Sequence, residues 1–188
     1  MIILITGPQA SGKTTQAKLL AGRLGLEFIS MGQVLRDLYE QNAPTGIEAE
    51  RSWGKGKLVP DKTIRKVVEQ FFRNHRPQKG FVMDGFPRNI LQYRWMTKVF
   101  GQPINYLINL TLDEKTILAR IGQRRQTEHR EDDAPAAVRV RLKLYYQETL
   151  PLLDQFAQDG VPIITVDASP EIEGIQHEIL KKLPAVTG

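Results

Sequence analysis

Nine residues near the start of the chain, Gly7-Pro8-Gln9-Ala10-Ser11-Gly12-Lys13-Thr14-Thr15, limit what it can fold into more than any other stretch. They fill every fixed position of the pattern G-x-x-x-x-G-K-[ST]. The apolar, β-branched run Ile2-Ile3-Leu4-Ile5 precedes them and reads as a buried strand. The helix formers Gln16-Ala17-Lys18-Leu19-Leu20-Ala21 follow. A strand that turns through glycines into a helix aims several backbone N–H groups at one point. The helix N-terminus adds partial positive charge there, so the loop suits a phosphate. Gly7, Ala10, Ser11, Gly12, Lys13, Thr14 and Thr15 are therefore the candidate phosphate cradle. Lys13 can reach the β- and γ-phosphates of a nucleotide, and the Thr14 hydroxyl can meet a magnesium ion. A plain glycine turn before an ordinary helix is the alternative, and the flanking strand and helix argue against it.

The 188 residues suffice for one α/β domain with a sizeable core. Cysteine is absent, which excludes disulfides and cysteine-based metal sites and fits a reducing cytoplasm. A core strand starting at residue 2 leads us to expect no signal peptide, and no apolar run approaches the length of a membrane span. The net charge of +5 fits either a basic surface or a polyanion site, and the placement of the arginines must decide between them.

Along the chain, the first helix is expected over residues 13–24 with Gly25 as C-cap. A short strand at Glu27-Phe28-Ile29 ends at Ser30, which can cap a helix over 33–40. Asn42-Ala43-Pro44-Thr45-Gly46 breaks that helix. Residues 46–60, with Gly54-Lys55-Gly56-Lys57 among them, read as a small mobile polar excursion from the core. Ile64, Val67, Val68 and Phe71 recur at helical spacing in a helix over 60–72. Phe81-Val82-Met83 is a strand ending on Asp84-Gly85. A helix over 89–100, a strand over 104–110 and a helix beginning at Asp113-Glu114 follow. Residues 134 to about 157 read as one long helix bent at Pro151. A strand over 161–166, a helix over 170–183 and a fraying tail over 184–188 complete the chain. Strands alternating with helices imply a five-stranded parallel sheet with helices on both faces and ligands beyond the carboxyl ends of the strands. The glycine loop, Asp84 and Asp167 all follow such ends.

An apolar strand ending in a carboxylate, as at Asp84, is how phosphate-loop proteins hold magnesium, often through water, although a capping aspartate in a turn has the same appearance. Asp84-Gly85-Phe86-Pro87-Arg88, followed by Gln92, resembles the signature of the adenylate kinase family. Ser30-Met31-Gly32-Gln33-Val34-Leu35-Arg36 is similar to that family's S-T-G-D-x-L-R, and Gly56-Lys57-Leu58-Val59-Pro60-Asp61 to its G-K-L-V-x-D. Arg120-Ile121-Gly122-Gln123-Arg124-Arg125, Arg130-Glu131-Asp132-Asp133 and Val138-Arg139-Val140-Arg141-Leu142 are similar to three further motifs, in family order. The resemblance implies a P-loop NTPase fold in a single domain over 1–188. It places a monophosphate-binding insertion at 30–60 and a short lid at about 123–132.

It also implies roles. Arg36 and Arg88 match monophosphate-binding arginines, Arg120 and Arg124 match those closing over ATP, and Arg130 and Arg141 match those bridging donor and acceptor. Lys13, Arg88, Arg124, Arg130 and Arg141 are the candidate catalytic group. Met31, Arg36, Lys57, Leu58, Val59, Gly85, Phe86, Pro87, Arg88, Gln92, Arg130 and Arg141 would contact AMP. Thr14 and Asp84 would hold magnesium through water. Rigid arginine forks suit such a site because phosphoryl transfer gathers negative charge and asks for little covalent chemistry. Arg125 and Arg139 are read as solvated surface charges, His75, His129 and His177 as exposed histidines, and Trp53 and Trp95 as partly buried.

Only Gln126-Thr127-Glu128-His129 separate Arg125 from Arg130, so the lid is short and no zinc is expected. Three positions depart from the family pattern: Met31 for threonine, Gln33 for aspartate, and Thr14 where glycine is usual. The expected activity is transfer of a phosphoryl group from Mg·ATP to AMP in a cytoplasmic monomer, with no nucleic acid or membrane partner. The same chemistry on UMP or CMP, or a nucleotide-sensing module without catalysis, are the rivals.

Overall fold

The computed structural model describes residues 1–53, 55–127 and 133–184. Five strands, β1 (Ile2–Thr6), β2 (Glu27–Ser30), β3 (Phe81–Asp84), β4 (Tyr106–Thr111) and β5 (Ile163–Asp167), form one sheet in the order β2-β3-β1-β4-β5. Every pairing is parallel. Successive side chains of a strand point to opposite faces, and both faces of β1 are apolar. Ile2 and Leu4 join Phe81, Met83 and Leu107 in one core, while Ile3 and Ile5 join Val82, Ile108 and Val166 in the other. Continuous apolar strands are what a sheet covered on both sides requires.

Helices α1 (Lys13–Leu24) and α9 (Ile172–Lys182) cover the second face through Ala17, Leu20, Ile175 and Ile179. The first face is covered by α4 (Asp61–Asn74), α5 (Ile90–Phe100) and α8 (Leu152–Gln158), using residues such as Val67, Val68, Met96 and Phe156. A third, smaller cluster of Ile117, Ile121, Val138 and Leu142 joins α6 (Glu114–Thr127) to α7 (Pro135–Leu144). No described helix is long and apolar enough to cross a membrane.

Element boundaries follow the expected chemistry. Gly25 caps α1 at φ 62°, and its N–H donates to the Ala21 carbonyl. Ser30 accepts a hydrogen bond from the Gln33 N–H (3.4 Å) at the start of α2 (Met31–Glu40), and Asn89 accepts one from the Gln92 N–H (2.8 Å) at the start of α5.

Two expectations need correction. Residues 46–60 are not all excursion, because α3 (Pro44–Trp53) occupies much of the segment and buries Ala49 in the core. Pro44 opens this helix as its first residue, where a missing N–H costs nothing, instead of only ending the one before. The long helix of 134–157 is three pieces. Regular α-helix ends at Leu144, a π-helical turn covers Tyr145–Thr149, and α8 restarts at Leu152. Proline cannot donate to the preceding turn and crowds the carbonyl four residues back. The chain widens ahead of Pro151, with the Leu150 N–H donating to the Tyr145 carbonyl at 2.8 Å. Gly54, the polar stretch 128–132 and the tail 185–188 lie outside the described residues.

The α2–α3 pair depends on close backbone approach. A Cβ on Gly46 would stand 2.3 Å from the Tyr39 nitrogen and 2.6 Å from the Leu38 carbonyl oxygen, both in α2. Neither is the tip of a flexible side chain, so the helices themselves must separate. Gly46→Ala is therefore expected to destabilise the protein by about 1–3 kcal/mol despite alanine's better helix propensity. Chemical denaturation of the two proteins checks this.

Candidate active site

The sheet brings the site together at one end. In register, Ile5 lies beside Asp84, and Asp84 beside Ser30. Chain leaving β1 turns into α1 toward one face, whereas chain leaving β3 crosses to β4 by way of α5 on the other. Between these two strands opens the crevice where α/β sheets take ligands. The glycine loop leaves β1 there through Gly7, where a Cβ would meet the Leu110 carbonyl oxygen at 2.6 Å. Ala10 adopts φ 61° and Gly12 φ 79°, left-handed conformations that turn successive N–H groups inward. Ser11 is fully buried behind the loop, while Thr14 and Thr15 begin α1 at the cavity wall.

Asp84 is 6% exposed. Its Oδ2 accepts the Thr14 hydroxyl at 2.5 Å, and its Oδ1 is buried without a hydrogen-bond partner among the described residues. A buried carboxylate oxygen with nothing to accept from fits an oxygen-seeking cation or its water, with Thr14 alongside as a second oxygen. The Lys13 ammonium donates to the loop's own Pro8 carbonyl at 2.6 Å. Burial lowers its pKa to about 8. Asp84 opposes the shift, and the guanidiniums of Arg88, Arg141 and Arg124 add to it.

Two cavities open from this point. One, of about 480 Å³, is lined by the glycine loop, Thr14, Thr15, Asp84, Pro87 and Arg124. The other, of about 650 Å³, lies against α2, α3 and α4, with Met31, Leu35, Tyr39, Trp53, Lys57, Val59, Ile64 and Gln92 on its wall. Gly32, Arg36, Leu58, Gly85, Phe86, Arg88 and Arg141 line both. Three arginines therefore stand where the cavities meet. The Arg88 guanidinium donates to the Gly85 carbonyl at 2.9 Å, which keeps it at the head of the β3 loop.

Other expected residues lie elsewhere or are otherwise engaged. Arg120 lines neither cavity; it donates to the carbonyls of Ala10 (3.4 Å) and Ser169 (3.1 Å) at the rim. Arg124 forks onto the buried Asp133, with Nε 2.7 Å from Oδ2, and Gln9 of the loop donates to the same carboxylate at 2.8 Å. Gln33 lines neither cavity. Its amide accepts from Arg36 (2.7 Å) and donates to Asp37 (2.7 Å). Met31 is 1% exposed, a wall and not a reaching group. Arg130 and His129 lie outside the described residues. Of the other two histidines, His177 is exposed and His75 is exposed but meets Glu27.

The aromatic wall was not foreseen from sequence. Tyr39 and Trp53 pack edge to face at 5.8 Å and 83° on the larger cavity. Tyr39 stands one helical turn beyond Leu35, a spacing that places both on one face and was the available signal. Trp53 gave none, because its segment read as a polar loop.

Comparison with known proteins agrees with this architecture. The sequence pattern of the adenylate kinase family matches residues 5–161. An adenylate kinase of Trichodesmium erythraeum is 33% identical, covering 98% of this chain and 98% of its own length. One of Syntrophotalea carbinolica is 30% identical, covering 97% and 98%, and one of Bifidobacterium longum is 33% identical, covering 97% and 100%. A P-loop beside a carboxylate-ended strand, arginines at the junction of two cavities, and relatives matched along nearly their whole length agree: the chain belongs to the adenylate kinase family.

Proposed function

We infer that the protein transfers the γ-phosphoryl group of ATP reversibly to AMP, giving two ADP. The observation that carries this is the common wall of the two cavities, where Arg36, Arg88 and Arg141 face both. A triphosphate on the glycine loop and a monophosphate in the neighbouring cavity would bring their anionic ends together there. The sequence likeness to proteins named adenylate kinase supports ATP and AMP as the pair.

An oxygen of the AMP phosphate attacks the γ-phosphorus directly. The new O–P bond forms as the bond from the γ-phosphorus to the β,γ-bridging oxygen breaks, and the electron pair leaves on the β-phosphate of ADP. No side-chain nucleophile takes part. Lys13, Arg88, Arg124, Arg130 and Arg141 neutralise the charge that spreads over the transferring group. Gly7, Ala10, Ser11, Gly12, Thr14 and Thr15 cradle the ATP phosphates, with Arg120 at the rim. Thr14 and Asp84 would hold magnesium through water, and the ion, when bound, would offset charge on the β- and γ-phosphate oxygens.

Residues 30–60 serve as the monophosphate-binding insertion and about 123–132 as a short lid, and their closure excludes water from the reacting group. Arg36 and Arg88 hold the monophosphate. Met31, Lys57, Leu58, Val59, Gly85, Phe86 and Pro87 surround the nucleotide, and Gln92 reads the base.

Coupled assay of ADP formation separates this enzyme from a nucleotide sensor, which would bind without turnover. With fixed Mg·ATP, kcat/KM for AMP is expected to exceed that for GMP, UMP and CMP by about 100-fold or more, because a polar base reader rejects a mismatched edge strongly. Gln92→Leu should narrow that gap. A preference for UMP or CMP would overturn the assignment. Arg88→Ala is expected to lose about 2 kcal/mol or more of transition-state stabilisation, read as the fall in kcat/KM, whereas Arg125→Ala, on an exposed position, loses far less. Equal impairment of the two variants would contradict these two roles.

A further inference from the structure

Asp61 begins α4, and its side chain is tied to a residue 31 positions later. Its Oδ1 accepts from Gln92 Nε2 at 2.9 Å and from Asn89 Nδ2 at 3.0 Å. Gln92 is 2% exposed and lines the larger cavity. Its Oε1 accepts from the Arg88 backbone N–H at 2.8 Å. Asn89 completes the ring by accepting from the Gln92 backbone N–H at 2.8 Å.

Two of these partners have only one sense. An ionised carboxylate can only accept, and a backbone N–H can only donate. The Gln92 amide is therefore held with its NH₂ toward Asp61 and its carbonyl toward Arg88. Reversed, it would set its oxygen against a carboxylate and its NH₂ against an N–H, two repulsive contacts in a buried place where unmade hydrogen bonds cost most. One N–H and one lone pair of the amide remain after these bonds, and their order is already fixed before any base enters.

We propose that Asp61 is a positioning residue for base selection: by fixing the sense of the Gln92 amide, it makes the acceptor site favour a 6-aminopurine over a 6-oxopurine. This rests on the proposed reading of Gln92 as the base reader. A 6-aminopurine offers a ring-nitrogen acceptor and an exocyclic donor on the edge that meets the amide. A 6-oxopurine offers a ring N–H and a carbonyl, the same pair with its polarity reversed. An amide free to turn over could serve both; an amide locked by Asp61 and Arg88 serves one.

The bland role for Asp61 is a negative charge in the first turn of α4, favourable to the helix dipole. Asp61→Asn separates the two roles. It removes the charge but keeps an acceptor oxygen that Gln92 and Asn89 can still meet, whereas Asp61→Ala removes both.

The test is kcat/KM for AMP and IMP, which differ only in the 6-substituent and its ring nitrogen, at fixed Mg·ATP. In Asp61→Ala the AMP-to-IMP ratio is expected to fall about tenfold or more, chiefly by loss of AMP and gain of IMP through KM, with KM for ATP unmoved. In Asp61→Asn the ratio is expected to return to near the wild-type value even where thermal stability falls. Should Asp61→Ala not fold, Asp61→Ser, whose shorter hydroxyl neither reaches the amide nor fixes its sense, gives the same reading. A ratio unchanged while both activities drop together would overturn the proposal, and so would a ratio lost equally in Asp61→Asn. Failure of the wild-type protein to prefer AMP overturns the parent reading as well; a wild-type preference for AMP that Asp61→Ala leaves intact overturns this inference alone.

Discussion

Lys13, Arg88, Arg124 and Arg141 crowd around one end of the sheet, and among the described groups that set the ionisation of Lys13 only Asp84 favours its charge. Like charges that close repel, and burial removes the water that would screen them. For Lys13 itself, burial and the neighbouring guanidiniums make the charged form costly in the free chain, and phosphate oxygens entering beside it would offset that cost. The rest of the fold serves to hold these groups in place before that happens. Continuous apolar strands stack Ile5 beside Asp84, two cores fix the sheet from both faces, and glycines let the loop return over the strand ends.

The position of Asp84 shows how the parts depend on one another. Its Oδ2 holds the Thr14 hydroxyl of α1, so β3 and the glycine loop keep a constant relation. Beyond β3 the chain passes Arg88 and Asn89 into α5, which carries Gln92. A single crossing from the glycine loop thus leads within a few residues to Arg88 at the cavity junction and to the Gln92 amide in the neighbouring cavity. Asp61 closes the circuit from α4, tying the wall of that cavity to the helix that carries Gln92.

Much of this could be read from the chain alone, for identifiable reasons. Ile2-Ile3-Leu4-Ile5 and Phe81-Val82-Met83-Asp84 announce themselves because fully buried strands have no polar interruptions, and the glycine loop because its backbone shape admits few sequences. The failures are of two kinds. Pro44 and Gly46 look like breakers in sequence; in space the first opens α3 and the second lets it touch α2, a distinction that only a packing partner can supply. The engagement of Arg124 by Asp133 and Gln9 is likewise settled by tertiary contact, which no local pattern encodes, whereas the π turn at Tyr145–Thr149 follows from Pro151 widening the turn ahead of it and not only bending the helix. Arg120 illustrates the same limit, matching a motif while resting on backbone carbonyls at the rim.

The charge cluster is open to a direct test. With a pKa lowered from 10.5 to about 8 in the free protein, Lys13 binds fewer protons folded than unfolded between those values, so through this group the free chain gains stability as pH rises from 8 toward 10.5. Binding a polyphosphate reverses the balance, raising the pKa of Lys13 and drawing in a proton. Calorimetric titration of ATP with magnesium into the protein at pH 8.5, in two buffers of different ionisation enthalpy, measures that proton. Net uptake of a large fraction of one proton per ATP is expected, shrinking toward pH 7 and absent in Lys13→Met. Binding without proton uptake at pH 8.5, or uptake that persists undiminished in Lys13→Met, would contradict a phosphate site built on a buried, partly discharged lysine.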